Sequence, residues 1–180
     1  MKKTNFILHI LAIFLLPLNV ATFELIVGVS EQRLYLVQND KILESFPIST
    51  SKYGEGSEVN SLKTPLGLHE IKEKIGENAE INTIFISRIN TKRKAEIFKS
   101  IYDSPNDYVT SRILWLSGLE DGLNFGSGID SYDRFIYIHG THEEGLIGQK
   151  ASDGCIRMFN KDVIYLFKIV PKGTKVYIKA

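Results

Sequence analysis

The 180-residue chain holds one cysteine, one tryptophan, two methionines and five prolines. A single cysteine excludes a disulfide framework within the chain and any thiolate-rich metal knot. Charge of one sign is also lacking, since 22 Lys and Arg stand against 21 Asp and Glu. The basic residues are interspersed with the acidic ones, so no phosphate-tracking stripe forms and nucleic acid is not expected as a partner. Internal repeats, low-complexity tracts and interdomain linkers are absent too. With 43% hydrophobic residues, the chain can bury one core without staples, which predicts a single globular domain.

The one long apolar run extends from Phe6 toward Ala21, behind Lys2 and Lys3, and is broken by Pro17. It falls short of the ~20 apolar residues of a comfortable membrane span and has the layout of a secretory signal. The expectation is a signal peptide over 1–21, with an uncleaved anchor as the alternative and the only membrane contact. The domain then occupies 22–180 and works outside the cytoplasmic membrane, in the periplasm or cell wall. Without Lys2 and Lys3, 20 basic residues face 21 acidic ones, an ordinary soluble surface.

Phe23 to Val29, Arg33 to Gln38 and Lys41 to Phe46 are rich in aliphatic and aromatic residues, with Asn39-Asp40 as a tight turn between the last two, and predict a β-meander. Ser51 to Lys63 reads as a long loop. Leu66 to Ile71, Thr83 to Ser87, Arg112 to Leu116, Phe135 to His139 and Thr174 to Ile178 are further strands. Lys161 to Val170 is the one long helix, with Asn160 as its expected N-cap and Pro171 ending it. Lys92-Arg93-Lys94 reads as a solvated loop or helix start. The fold class is mostly β with one or two helices (α+β).

An exported chain with an odd cysteine holds either an inert buried thiol or a reactive one, and free cysteine alone is more often buried packing. The surrounding residues suggest chemistry. Cys155 follows Gly154 in SDGCIRM, where the glycine lets backbone approach a substrate and its N–H can help hold an oxyanion. His139 is placed at the end of a strand, from which its imidazole could take the thiol proton. Arg157 could hold a carboxylate bidentately. His69, inside a strand distant in sequence, reads as structural. His139, His142 and Cys155 could instead ligate zinc, but the histidines lack the helical i, i+4 spacing of zinc peptidases. The nucleophile reading needs no metal and no cofactor.

His139-Gly140-Thr141, a spacer, and then Ser152-Asp153-Gly154-Cys155-Ile156-Arg157-Met158 resemble the signature of the L,D-transpeptidase family, the YkuD-like catalytic domain. KTPLGLHEI, Lys63 to Ile71, resembles the family's Thr-Pro-x-Gly segment, and Phe23 through Thr50 its opening strands. The resemblance implies a β-sandwich or barrel with an active-site cleft that acts on peptidoglycan stem peptides. It implies Cys155 as nucleophile and His139 as general base and acid, its second ring nitrogen oriented by a carbonyl near Gly140 or by Ser152. Gly154 supplies oxyanion backbone, and Arg157, Gly140 and Thr141 are candidate substrate-binding residues. The acyl acceptor is a neighbouring stem amine or an envelope protein. Asp153 departs from the histidine frequent in the family; its side chain is expected to turn outward, because a carboxylate aimed at the sulfur would disfavour the thiolate.

Two other functions use the same residues or none: an L,D-carboxypeptidase resolving the thioester with water, and an envelope binding module with a passive Cys155. Papain-like endopeptidases place cysteine before histidine, the reverse of the order here.

Overall fold

The computed structural model describes residues 22–180, so the expected signal segment over 1–21 lies outside the described residues. Ten strands and one α-helix follow in the order β1 (Phe23–Gly28), β2 (Arg33–Gln38), β3 (Lys41–Ser49), β4 (Gly67–Ile75), β5 (Thr83–Ile86), β6 (Ile89–Lys94), β7 (Val109–Gly118), β8 (Tyr137–Thr141), β9 (Ile156–Met158), α1 (Asn160–Ile169) and β10 (Lys175–Lys179). A 3-10 turn covers Glu144–Leu146. Among the described residues strand accounts for 43% and helix for 8%, the mostly β class expected.

The strands hydrogen-bond in the order β4-β10-β1-β2-β3-β9-β8-β7-β5-β6, and β4 also pairs with β7. That last pairing closes the first eight strands of the series into a ring, with β5 and β6 as a hairpin attached to β7. Closure removes most free edges. The hairpin between β2 and β3 turns at Asn39 and Asp40, both at positive φ (51° and 60°), the backbone a two-residue turn between twisted strands requires.

Alternation along the strands sorts side chains onto two faces. Leu25, Val27, Leu34, Leu36, Ile71, Leu114, Leu116, Ile138, Ile156, Met158, Val176 and Ile178 form one buried core, joined by Val163, Leu166 and Phe167 of α1 and by Val170 just after it. Ile113, Trp115 and Tyr137 point to the opposite face and build a second, aromatic cluster with Ala79 and Phe85, against which Cys155 packs. The candidate site lies on this second face.

Three local expectations are corrected. Lys92-Arg93-Lys94 belongs to β6, an exposed strand at the end of the series, where lysines discourage further strand pairing. Strand β8 begins at Tyr137 rather than Phe135, because Phe135 takes a positive φ of 59°. His139 is consequently the middle residue of β8 and not its end. Asn160 is the first helical residue and does not cap; Phe159 holds the N-cap position without a side-chain hydrogen bond. The Asn160 amide faces inward, while the Glu144 carboxylate accepts the Asn160 N–H at 2.9 Å and places negative charge at the helix N-terminus.

Candidate active site

Parallel pairing of β8 with β9 aligns Ile138 with Ile156 and His139 with Arg157. Alternation then puts Tyr137, His139, Cys155 and Arg157 on one face, with His139 diagonal to Cys155. Diagonal neighbours on a sheet lie roughly 7–8 Å apart at Cα, within reach of long and aromatic side chains. Residues separated by sixteen positions in sequence thus share one sheet face as diagonal neighbours because two short strands run side by side.

Cys155 is half-buried. Its thiol donates to the Phe135 carbonyl at 3.4 Å, and the Tyr137 N–H donates to the sulfur at 3.4 Å. Burial pushes the thiol pKa up to about 12; the Tyr137 N–H opposes this shift, Asp107 adds to it, and Arg157 and Arg134 oppose it. At neutral pH the resting sulfur is a thiol.

His139 is 1% exposed. Its Nδ1 lies 2.7 Å from the Gly140 carbonyl oxygen. An Nδ1–H donating there leaves Nε2 as the basic nitrogen. Burial lowers the His139 pKa, against the charge of Asp107 and the Gly140 hydrogen bond, so the ring is neutral at pH 7 and able to accept a proton.

Ser152 does not orient His139. Its hydroxyl donates to the Cys155 carbonyl at 2.6 Å and accepts the Gly154 N–H at 3.3 Å, so it shapes the turn that carries Cys155. Gly154 sits at φ +119°, a backbone conformation that strains any side chain-bearing residue. Thr64 Oγ1 donates to its carbonyl at 3.0 Å, which ties the turn to the Thr-Pro-x-Gly segment. Among the described residues the Cys155 N–H meets no acceptor, and it remains a free donor beside the sulfur. Asp153 turns outward to the Lys52 ammonium at 3.4 Å, and Lys52 also reaches Asp103 at 3.5 Å.

Arg157 is not open to substrate. The residue is 1% exposed, and its guanidinium pairs with Asp107 at 2.8 Å and Glu143 at 2.8 Å. The two carboxylates keep it fully charged, and Asp107 is in turn held below the usual carboxylate range by Arg157 and the nearby histidines, which outweigh its burial. Gly140 and Thr141 are likewise buried. A methyl group on Gly140 would stand 2.5 Å from Asn160 Oδ1, and Thr141 Oγ1 accepts the Glu143 N–H at 3.1 Å. Both support the site from behind, where the sequence suggested substrate contact.

His142 does not join His139 and Cys155. Its Nε2 is 2.9 Å from Ser104 Oγ, and among the described residues no three His, Cys, Asp or Glu side chains converge to hold a metal. His69 is buried between the Gly67 carbonyl at 3.0 Å and Ser131 Oγ at 2.9 Å, a structural position.

Sequence reasoning missed Asp107, Glu143, Tyr137, Phe135 and Arg88. Arg88 stands 4.7 Å from the ring centroids of both Trp115 and Phe135 and donates to the Tyr137 hydroxyl at 3.2 Å. No spacing signal links these segments; the strand pairings of β5, β7 and β8 bring them together.

Comparison with known proteins follows the same lines. The family description of the YkuD L,D-transpeptidase catalytic domain matches residues 22–178. A relative named as the L,D-transpeptidase ErfK/SrfK of Escherichia coli strain K12 is 28% identical over 155 residues, 86% of this chain and 43% of its own. A Bacillus subtilis strain 168 relative, named as the L,D-transpeptidase YkuD, is 61% identical over 41 residues, 23% of this chain and 25% of its own. The matches thus span less than half of these curated relatives. Among solved structures, an L,D-transpeptidase from Mycobacterium smegmatis superposes with a TM-score of 0.53 at 16% identity, over 89% of this chain and 59% of that one. L,D-transpeptidase 3 from Mycobacterium tuberculosis, in complex with a faropenem-derived adduct, gives 0.51 at 16% identity, over 89% and 61%.

Proposed function

The chain belongs to the YkuD L,D-transpeptidase catalytic-domain family, and from that premise we propose that Cys155 is acylated by the tetrapeptide stem of peptidoglycan. The observation that carries this reading is the shared sheet face on which a neutral imidazole, on β8, and a neutral thiol, immediately before β9, stand diagonally.

With the thiol held protonated at rest, attack and proton transfer go together. Sγ adds to the carbonyl between the third stem residue and the terminal D-alanine while His139 Nε2 takes the thiol proton. The oxyanion forms beside the free Cys155 N–H. His139 then gives its proton to the departing amine, the C–N bond breaks, D-alanine leaves and a thioester remains. In the second half an acceptor amine adds to the thioester, His139 takes the amine proton and returns it to sulfur, and a new amide is released. The acceptor is the side-chain amine of a neighbouring stem, giving a 3→3 crosslink, or a lysine of an envelope protein. Such a substrate places the reaction outside the cytoplasmic membrane, in line with the secretory layout of residues 1–21.

Incubation of the protein with a tetrapeptide muropeptide, with products read by mass spectrometry, tests the proposal. A crosslinked dimer that disappears with Cys155→Ala supports transfer. Tripeptide alone would replace transfer by hydrolysis, and unchanged tetrapeptide would leave a binding module.

A further inference from the structure

Three arginines surround the aromatic face that carries Cys155, and two are held by partners within the protein. Arg157 is neutralised by Asp107 and Glu143. Arg134 donates to the carbonyls of Gly56 at 3.2 Å and Lys63 at 2.7 Å, and to Ser61 Oγ at 3.4 Å, which fastens the 56–63 loop. Arg88 is different. Among the described residues its side chain has one polar partner, the Tyr137 hydroxyl, and no carboxylate.

A guanidinium carries five N–H donors in a planar fork, and Arg88 is half-buried with nearly all of them open. It is nevertheless held in one place. The rings of Trp115 and Phe135 stand against it, each centroid 4.7 Å from Cζ. Its backbone lies in the tight β5–β6 turn, where Ser87 and Arg88 both take positive φ (48° and 69°), an uncommon conformation for residues other than glycine. A two-residue turn between paired strands requires this backbone, and it fixes the position from which the Arg88 side chain leaves.

Tyr137 spans the distance from this guanidinium to the nucleophile. Its hydroxyl accepts from Arg88, while its backbone N–H donates to Cys155 Sγ. A peptide whose carbonyl rests at the sulfur therefore places groups a few bonds further along beside Arg88. We infer that Arg88 is a substrate-binding residue that receives a carboxylate of the acyl donor through a bidentate ion pair, the role that Arg157 cannot fill. The inference rests on the proposed stem-peptide substrate, whose donor offers a carboxylate on each of the two residues joined by the scissile bond: that of the leaving residue, and a side-chain carboxylate on the third residue when that residue is a diamino diacid. Arg88 has the planar fork that matches either.

Binding to the full chain carrying Cys155→Ala, measured by titration calorimetry, tests this apart from turnover. Three peptides are compared: the tetrapeptide with a diamino diacid at its third position, the same peptide with its terminal carboxylate amidated, and the same peptide with its side-chain carboxylate amidated. One amide is expected to bind roughly tenfold or more weakly than the parent, the scale of a charge-assisted hydrogen-bonded pair. Which amide it is identifies the carboxylate. Adding Arg88→Ala is expected to weaken the parent by the same factor and to erase the preference, and Arg88→Lys to restore it in part. A preference that persists in Arg88→Ala with an unchanged melting temperature overturns the assignment, as does equal binding of all three peptides. If the chain with Cys155 intact is never acylated while the Arg88-dependent preference is present, the stem-peptide chemistry fails and the carboxylate site stands.

Discussion

At the scale of single residues, the site is organised by burial more than by charge. A thiol pushed up to about 12 beside a histidine held below its ordinary value is a neutral pair at pH 7. Acylation should therefore fall on acidification only below the ordinary histidine range, as the lowered His139 pKa is crossed, and should stay level on the alkaline side, where the pair remains neutral. Stopped-flow acylation by a stem peptide across pH 4.5–9 (about, within the stable range) checks this. Asp107 favours protonated His139 and Arg157 opposes it. Asp107→Asn removes the first and leaves the second less compensated, so the acidic limb should move to lower pH. Arg157 itself is buried between two carboxylates. Arg157→Ala leaves Glu143 buried without its cation and should cost about 3–5 kcal/mol of stability in urea unfolding.

At the scale of elements, one side chain joins the helix to the strand bearing His139. Asn160 Oδ1 accepts from Thr110 Oγ1 at 2.6 Å and Ser111 Oγ at 2.5 Å. Its Nδ2 donates to the Thr141 carbonyl at 2.7 Å and to Glu144 Oε1 at 2.9 Å. Asn160→Ala strands several buried groups at once and is expected to cost about 3 kcal/mol, read as a lower melting temperature. Gly140→Ala should act on the same contact, because its methyl group would displace Asn160 Oδ1. These residues also show where sequence reading stops. The meander was legible because Phe23 to Gln38 alternates and Asn39-Asp40 marks the turn. Strand β9 is three residues long, and β6 is charged throughout its second half, so neither has a periodic signal. Asn160 precedes an apolar helical face and so looks like a cap; its inward role depends on Thr110, Ser111 and Thr141, whose arrival no local pattern records. Cys155 and His139 were legible from motif and order. Asp107 and Glu143, which pair with Arg157, and Tyr137, whose N–H meets Cys155, were not, because such contacts are set by tertiary pairing and not by local pattern.

At the scale of the whole molecule, the closed ring buries histidine as neutral imidazole, and this sets its acid sensitivity. Burial lowers His69 to about 4, whereas an unfolded histidine titrates near 6.5. Between those values the unfolded chain binds more protons, so stability is lost as pH falls from about 6.5 toward 4, by up to about 3 kcal/mol from this residue. Urea midpoints at pH 7.5 and 5 (about) should differ in that direction, with a shallower dependence in His69→Gln. The same ring holds β8 beside β9, and the central claim is that this adjacency makes Cys155 a nucleophile toward stem peptides. Intact-protein mass spectrometry after brief mixing with a tetrapeptide stem tests it most directly. The expected result is a mass increase equal to the tetrapeptide minus D-alanine, located at Cys155 by peptide mapping and abolished in both Cys155→Ala and His139→Ala. An unmodified mass together with unconsumed tetrapeptide, or an adduct on any residue other than Cys155, would contradict it.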